Sequence, residues 1–451
     1  MKRAQIRDFT QGNITSQLIT FAWPLFLSNL LQVFYNMVDM IIVGRVLGKA
    51  GTSAVAVGGD ISHFLAFIAM GFSSAGQVLI AKYVGSKQTE KLGRFVGTMG
   101  GFLAACAIVG SILGLTFQND ILRLMNTPAE SYDGAVAYSA VCMTGLIFIY
   151  GYNSVSAILR GMGDSQHPFL FIAIAALLNV ILDIVFVVIL DIGPGGAALA
   201  TVISQAVSFL CCLFFLSRNR ERFHLNIQFR DFLRWDKDML SSLLKLGIPM
   251  AIKTASIQTS KLFVNSWINS YGVSVSAFAG IAAKVSSVAN LVSNAMNTAG
   301  ATMIGQNLAA KEFDRVKKIM AHIATITLSI AFLFSAIMLL APNLIFGFFT
   351  TDPDVLSIAD GYRYIAVLLF LASAMRAVMS SLINGSGNYR INFVTAILDG
   401  IVLRIGLSVL FGLVFDMKHY GFWLGDALAG FTPFWIGLVF FLTGSWKKPV
   451  K

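Results

Sequence analysis

Charge is scarce in this chain: Asp, Glu, Lys and Arg make up 12% of it, against roughly 25% in a soluble domain. That shortage excludes a water-soluble globular fold, whose surface needs far more ionised groups. Cysteine is also rare. All four residues (Cys106, Cys142, Cys211, Cys212) fall inside apolar runs and read as small apolar side chains, not as a disulfide framework or metal cluster. The five histidines, His63, His167, His224, His322 and His419, are scattered with no paired spacing, so the converging set that an embedded enzyme needs is missing. Polar segments do not exceed about 25 residues, which leaves no room for a nucleotide-binding domain. Gly44-Arg45-Val46-Leu47-Gly48-Lys49-Ala50 is one residue short of a phosphate loop and ends in Ala, so ATP hydrolysis is not expected.

What is abundant is apolar sequence. Residues of the set AVILMFWYC make up 56% of the chain, and runs of membrane-spanning length recur from end to end. Twelve are expected, at about 18–43, 52–80, 95–117, 133–158, 168–190, 196–216, 243–269, 273–304, 319–341, 358–382, 391–414 and 421–444. The first is too long for a signal peptide and lacks a convincing cleavage site, so it is expected to remain as a helix. The net charge of +11 is distributed as in a membrane protein. With a cytoplasmic N-terminus, 23 of the 33 Lys and Arg lie at cytoplasmic ends and four (Arg45, Lys49, Arg123, Lys418) on the other side. The other six (Lys253, Lys261, Lys284, Arg363, Arg376, Arg404) fall within or at the edges of helices. The asymmetry predicts that both termini are cytoplasmic, and no nucleic-acid partner is needed to explain the charge.

The chain also repeats itself. Pro24 and Pro249 interrupt corresponding apolar runs, Ser74-Ala75-Gly76 through Gln88 matches Thr298-Ala299-Gly300 through Glu312, and Gly161, Gly163 and Asp164 match Gly385, Gly387 and Asn388. Six spans per copy return the chain to the side it left, so the copies share an orientation. The expected fold is an all-α polytopic membrane protein, with twelve transmembrane helices in two six-helix lobes related by pseudo-two-fold symmetry about the membrane normal. The expected boundaries are 1–216 for the first lobe, 217–242 for a cytoplasmic linker and 243–451 for the second lobe. The basic and aromatic linker suits either a helix lying on an anionic leaflet or a solvated connector.

Polar residues inside the spans point to function, because ionisable groups in hydrocarbon cost about 2.5–3.5 kcal/mol or more each. Gln32, Tyr35, Asn36 and Asp39 share one helical face at i, i+3, i+4 and i+7. Asn179 and Asp183 share another, and Thr201 comes early in the following span. Given the alternating direction of the spans, Asp39, Asp183 and Thr201 all fall in the outer half of the first lobe, where they can converge. Two carboxylates with amide and hydroxyl oxygens suit a hard cation or a proton; the alternative is that the acids merely satisfy buried polar partners. The second lobe lacks both acids: the counterpart of Asp39 is Val264 or Asn265. It carries Thr254, Gln258, Lys261 and Asn265 as a stripe, with Lys253, Lys284, Arg376, Asp399 and Arg404 nearby. These residues suit either anionic substrate groups or internal pairing such as Arg404 with Asp399.

The stretch from Pro24-Leu25-Phe26 to Asp39-Met40-Ile41-Ile42-Val43-Gly44 resembles the first helix of the multidrug and toxic compound extrusion (MATE) transporters. Arg160-Gly161-Met162-Gly163-Asp164, the Asn179/Asp183 pair and Gly195-Gly196-Ala197-Ala198-Leu199-Ala200-Thr201 extend that resemblance along the chain. It implies a secondary antiporter with two bundles around a V-shaped cleft, which expels diverse, often cationic, organic compounds against a proton or sodium gradient. By the same resemblance Asp39, Asn179, Asp183 and Thr201 are the cation-coupling residues, and the metal ligands if the ion is sodium. Gln32, Tyr35, Asn36, Asn153, Gln258, Lys261, Lys284 and Arg376 are substrate- or cavity-lining candidates. Lys261 and Arg376 occupy helices where other branches of the family carry sodium-binding acids. H+ or Na+ is then the coupling ion, with no further cofactor and no ATP. The partners are small organic substrates and the lipid bilayer, a monomer is the expected unit, and the inner membrane is the expected location. The nearest rival is a lipid or lipid-linked oligosaccharide flippase of the same superfamily, whose basic cavity would handle anionic head groups.

Overall fold

The computed structural model describes residues 6–225 and 227–448. It is entirely helical over those residues, with seventeen α-helices. The N-terminal part comprises α1 (Ile14–Val46), α2 (Gly48–Gly85), α3 (Leu92–Leu124), α4 (Ala129–Thr144), α5 (Leu146–Gly161), α6 (Gln166–Asp183), α7 (Pro194–Arg218) and the short α8 (Phe229–Leu233). Then come α9 (Lys237–Asn269), α10 (Val273–Ala309), α11 (Phe313–Leu340), α12 (Pro342–Phe346), α13 (Pro353–Ser386), α14 (Tyr389–Ile397), α15 (Leu403–Val409), α16 (Lys418–Ala429) and α17 (Thr432–Leu442). The few prolines do ordinary work at helix starts: Pro128 precedes α4, while Pro194 and Pro353 open α7 and α13, where the missing N–H costs nothing. Pro24 and Pro249 differ in lying inside long helices.

Among the described residues, ten helices or continuous helical runs are long and apolar enough to cross a membrane, and α4 with α5 makes an eleventh across a 48° bend. The twelfth expected span is α9. At 33 residues it is long enough, but Lys253, Thr254, Gln258 and Lys261 make it too polar to stand out by hydropathy. The bend between α4 and α5 falls at Gly145, where an added Cβ would lie 2.4 Å from Val202 Cγ2 of α7. The missing side chain thus lets α7 seat in the angle.

The chain divides into two compact units, Met1–Asp8 with Leu27–Gly247 and Phe9–Phe26 with Ile248–Lys451. The chain passes from one unit to the other between Asp8 and Phe9, before α1, and again inside α1 and inside α9, close to Pro24 and Pro249. In the first unit, α2 packs on α4 and α5, and α7 packs on α4, α5 and α6. In the second, α13 is central, packing on α10, α11, α16 and α17. Its core includes Ile14, Leu18, Phe21 and Leu25 from the first half of α1, gathered with Met303, Ile304, Ile323 and Leu382. A second core cluster groups Phe278, Phe346, Tyr362, Phe422 and Trp423.

The internal repeat is visible in the backbone. Left-handed residues occur at Lys87, Gly163 and Asp191 and again at Lys311, Gly387 and Asp416. The close approaches repeat too. A Cβ on Gly161 would lie 2.8 Å from the Gln77 carbonyl oxygen, and one on Gly385 would lie 2.8 Å from that of Ala301. Both units also contain π-helical turns, at Ile184–Ile189 after α6 and at Leu398–Val402 and Leu410–Val414 around α15.

The connector departs from expectation. Its last six residues, 237–242, belong to α9. Its middle forms α8, a helix being one of the two expected forms, and Leu233 and Trp235 stay exposed. It docks on α3, where Gly97, Gly100 and Gly101 offer only backbone: Cβ atoms there would lie 2.4 Å from Asp231 Cβ, 2.8 Å from Phe232 Cε1 and 2.1 Å from the Phe232 carbonyl oxygen. Arg94 pairs with Asp236 at 3.0 Å, and the Asp236 N–H donates to Thr98 Oγ1 at 3.2 Å.

Candidate functional site

In the first unit the site is built by the α6–α7 hairpin. α6 ends at Asp183 and continues as the π turn Ile184–Ile189, whose closing bonds run from Leu190 N–H to Val185 O and from Ile192 N–H to Phe186 O, each 2.9 Å. Asp191 and Gly193 take positive φ and turn the chain into Pro194 of α7. A Cβ on Gly196 would stand 3.1 Å from the Phe186 carbonyl oxygen, so the start of α7 lies tight against the π turn. π turns alter the helical phase and are frequent at functional sites.

This packing brings Asn179 against Thr201. Asn179 Nδ2 donates to Thr201 Oγ1 at 3.5 Å, a long hydrogen bond, and Tyr35, Asn179, Thr201, Ser204 and Gln205 line one small cavity. One turn beyond Asn179, Asp183 is 0% exposed. Asp39 lies within electrostatic reach of Asp183, and the Tyr138 hydroxyl is within reach of both. The two acids do not themselves line that cavity; they form an adjoining group.

The imbalance of this group is in its hydrogen bonding: both Asp183 carboxylate oxygens, Asp39 Oδ1 and Asn179 Oδ1 are buried and have no hydrogen-bond partner among the described residues. Every one of these atoms is an acceptor when the acids are ionised. Buried carboxylates without donors are strongly disfavoured. A proton or a hard cation meets that deficit, and the donor set of two carboxylates, an amide and a hydroxyl fits either.

The other residues expected in the first unit scatter. Gln32 is half-buried and Asn36 exposed. Asn153 spends its amide on its own helix, donating to the Ile149 carbonyl at 2.8 Å. Sequence reasoning missed Ser204 and Gln205, although they follow Thr201 at i+3 and i+4 on the same face. It also missed Tyr138, which is admitted by Gly58 and Gly59 of α2; a Cβ on Gly58 would lie 3.2 Å from Tyr138 Cβ. Nothing in the local sequence of α4 marks that tyrosine.

In the second unit, internal pairing is extensive. Arg404, 2% exposed, donates from NH2 to Asp399 Oδ1 at 2.9 Å and from Nε to the Asp399 carbonyl at 3.2 Å, and its NH1 pairs with Asp426. Asp426, which the sequence reading passed over, is visible as an acid in an otherwise apolar run. Arg376 NH2 reaches Asp399 Oδ1 at 3.4 Å. Lys261 and Arg376 line a second cavity, together with Arg404, Asp426, Asn290 and Ser373. Gln258 and Lys284 are exposed and do not line it.

The model of the MatE family matches this chain twice, over residues 24–185 and 249–410, which coincides with the repeat. The Bacillus subtilis (strain 168) protein YpnP, described as a probable multidrug resistance protein, is 27% identical over 98% of this chain and 97% of its own length. The outward-facing structure of a multidrug resistance MATE transporter of the MOP superfamily superposes with a TM-score of 0.89 at 22% identity, covering 99% of this chain and 100% of the other. A MOP-superfamily transporter from Pyrococcus furiosus, described as having a binding pocket of reversed polarity that suggests a different function, gives a TM-score of 0.89 at 21% identity over 98% of both chains.

Proposed function

The chain belongs to the MatE family of transporters, and on that premise we propose that it is a secondary active antiporter that exports organic, often cationic, compounds in exchange for protons or sodium ions. The family is one of transporters and not of enzymes. The description of YpnP as a probable multidrug resistance protein supports drug-like substrates. The observation that carries the coupling reading is the set of four buried acceptor oxygens on Asp39, Asn179 and Asp183 that lack donors among the described residues.

A proton supplies the missing donor, or a cation is ligated by the unsatisfied oxygens, and either lowers the cost of holding the two acids out of water. The acids stand on α1 and α6, so their neutralisation changes which packing of those helices is favoured. An ion bound more tightly in one packing than the other shifts the balance between them by that difference. Substrate that binds the opposite packing is then released as the ion binds, which is antiport by alternating access. Both termini are cytoplasmic in this scheme, the protein acts in the inner membrane, and the monomer is the working unit. A flippase reading is favoured by one observation, the cationic cavity around Lys261 and Arg376; the acids of the first unit favour the antiporter.

The test is efflux of a fluorescent cationic dye from proteoliposomes under proton and sodium gradients imposed separately. Wild type should move dye under one of them, and Asp39→Asn and Asp183→Asn should each lose at least tenfold of that rate while remaining folded. Undiminished efflux in both variants would refute the coupling role. A wild type silent under both gradients would refute dye antiport.

A further inference from the structure

We propose that the cavity of the second unit is a binding site for an anionic group, a carboxylate or phosphate, received by Lys261 and Arg376. The inference deepens the export reading by naming a second chemical feature of the substrates. Four cations, Lys253, Lys261, Arg376 and Arg404, gather around two acids, Asp399 and Asp426. The acids are largely committed to Arg404, which holds both of them. Arg404 is therefore structural.

The remaining cations are poorly served. Arg376 makes only long contacts, 3.4 Å to Asp399 Oδ1 and 3.3 Å to the Gly430 carbonyl, and its side chain stays 28% exposed at the cavity. Lys261 also lines the cavity, and among the described residues its ammonium has no hydrogen bond or ion pair. The neutral lining adds donors. Ser373 donates to Asn290 Oδ1 at 2.6 Å, which occupies the Asn290 oxygen and leaves its amide N–H groups for a ligand. One carboxylate oxygen, Asp399 Oδ2, lacks a hydrogen-bond partner among the described residues, but it is buried and Asp399 does not line the cavity. The wall thus offers an ammonium, part of a guanidinium and an amide, and the acid that also lines it, Asp426, is paired with Arg404. An anion reaching such a wall gains charge-assisted hydrogen bonds from Lys261 and Arg376 and a further bond from the Asn290 amide.

The experiment measures equilibrium binding of radiolabelled salicylate, an aromatic carboxylate, to the full-length protein in detergent. Salicylamide, which is neutral and nearly isosteric, serves as the competitor control. Saturable salicylate binding that salicylamide fails to displace is expected. Lys261→Gln and Arg376→Gln should each weaken it about tenfold, the value of one charge-assisted hydrogen bond, and Lys261→Arg should retain it. Displacement by dioctanoyl phosphatidic acid would assign the site to a lipid head group, and displacement by inorganic phosphate alone to soluble anions; either upholds an anion site. Displacement by salicylamide, absence of saturable binding, or unchanged binding in both glutamine variants would overturn it. With no gradient present, a protein that cannot couple transport still binds, so failure here and failure of the antiporter reading are separable.

Discussion

Arg404 carries a full charge inside a helical bundle and is held there by three bonds, to the Asp399 carbonyl, the Asp399 carboxylate and Asp426. Removing one partner of such a buried set leaves the others uncompensated, at a cost of about 3–5 kcal/mol. Arg404→Leu is therefore expected to lower stability by that order, and Arg376→Leu by much less, since Arg376 is partly exposed and its bonds are long. Thermal unfolding of the two purified variants, followed by tryptophan fluorescence, checks the ranking; equal losses would mean that Arg376 is as structural as Arg404. Asp183 presents the opposite case at this scale. It is as deeply buried as Asp399, yet no arginine or lysine pairs with it among the described residues, and neither of its oxygens is satisfied. That imbalance is what the proposed coupling role of Asp183 rests on.

At the scale of the element, glycines govern which helices touch. Gly145 lets α7 enter the bend between α4 and α5, and Val202, the residue that fills the gap, is the neighbour of Thr201. The cavity of the first unit thus depends on a glycine that lines none of it. Gly97, Gly100 and Gly101 do the same for α8 on α3, where a Cβ at Gly101 would meet a backbone carbonyl that has nowhere to yield. Gly101→Leu should undock α8 at a cost of about 1–3 kcal/mol. Limited trypsin digestion would show this as faster cleavage at Arg220, Arg222, Arg230 and Arg234 than in wild type, and unchanged cleavage would mean that α8 is held by Arg94 and Thr98 alone. The bond from the Asp236 N–H to Thr98 and the Arg94–Asp236 pair anchor only the end of the segment.

At the scale of the whole molecule, the helical membrane class was legible because its causes are additive along the chain. Apolar run length, the count of spans and the 23-to-4 distribution of Lys and Arg need no knowledge of packing. They predict that a green fluorescent protein fused after Lys451 fluoresces, and that alkaline phosphatase fused at the same place is inactive; the reverse pattern would place the C-terminus outside. Where a span is itself part of a polar surface, the same reasoning weakens. α9 is as long as α1 but carries Lys253, Thr254, Gln258 and Lys261, so hydropathy understates it. The grouping of Phe9–Phe26 with the second unit was not legible either. Apolar helices offer no compositional change at residues 26 and 247, where the chain passes between units, although Pro24 and Pro249 stand close by.

Sequence by itself determined the membrane class, the internal repeat and the intrahelical neighbours, because the 3.6-residue period places Asn179 beside Asp183 and Tyr35 beside Asp39 in any helix. Tertiary structure decided what those pairs meet. The α1 stripe divides, with Tyr35 at the cavity, Asp39 within electrostatic reach of Asp183 and Asn36 exposed, and Asn153 turns back onto its own backbone. It also decided that Arg404 pairs with two acids while Lys261 forms no ion pair among the described residues. Contacts between helices depend on the rotation and approach of each helix, set by glycines and π turns distant in sequence, and no local pattern around a polar residue encodes them.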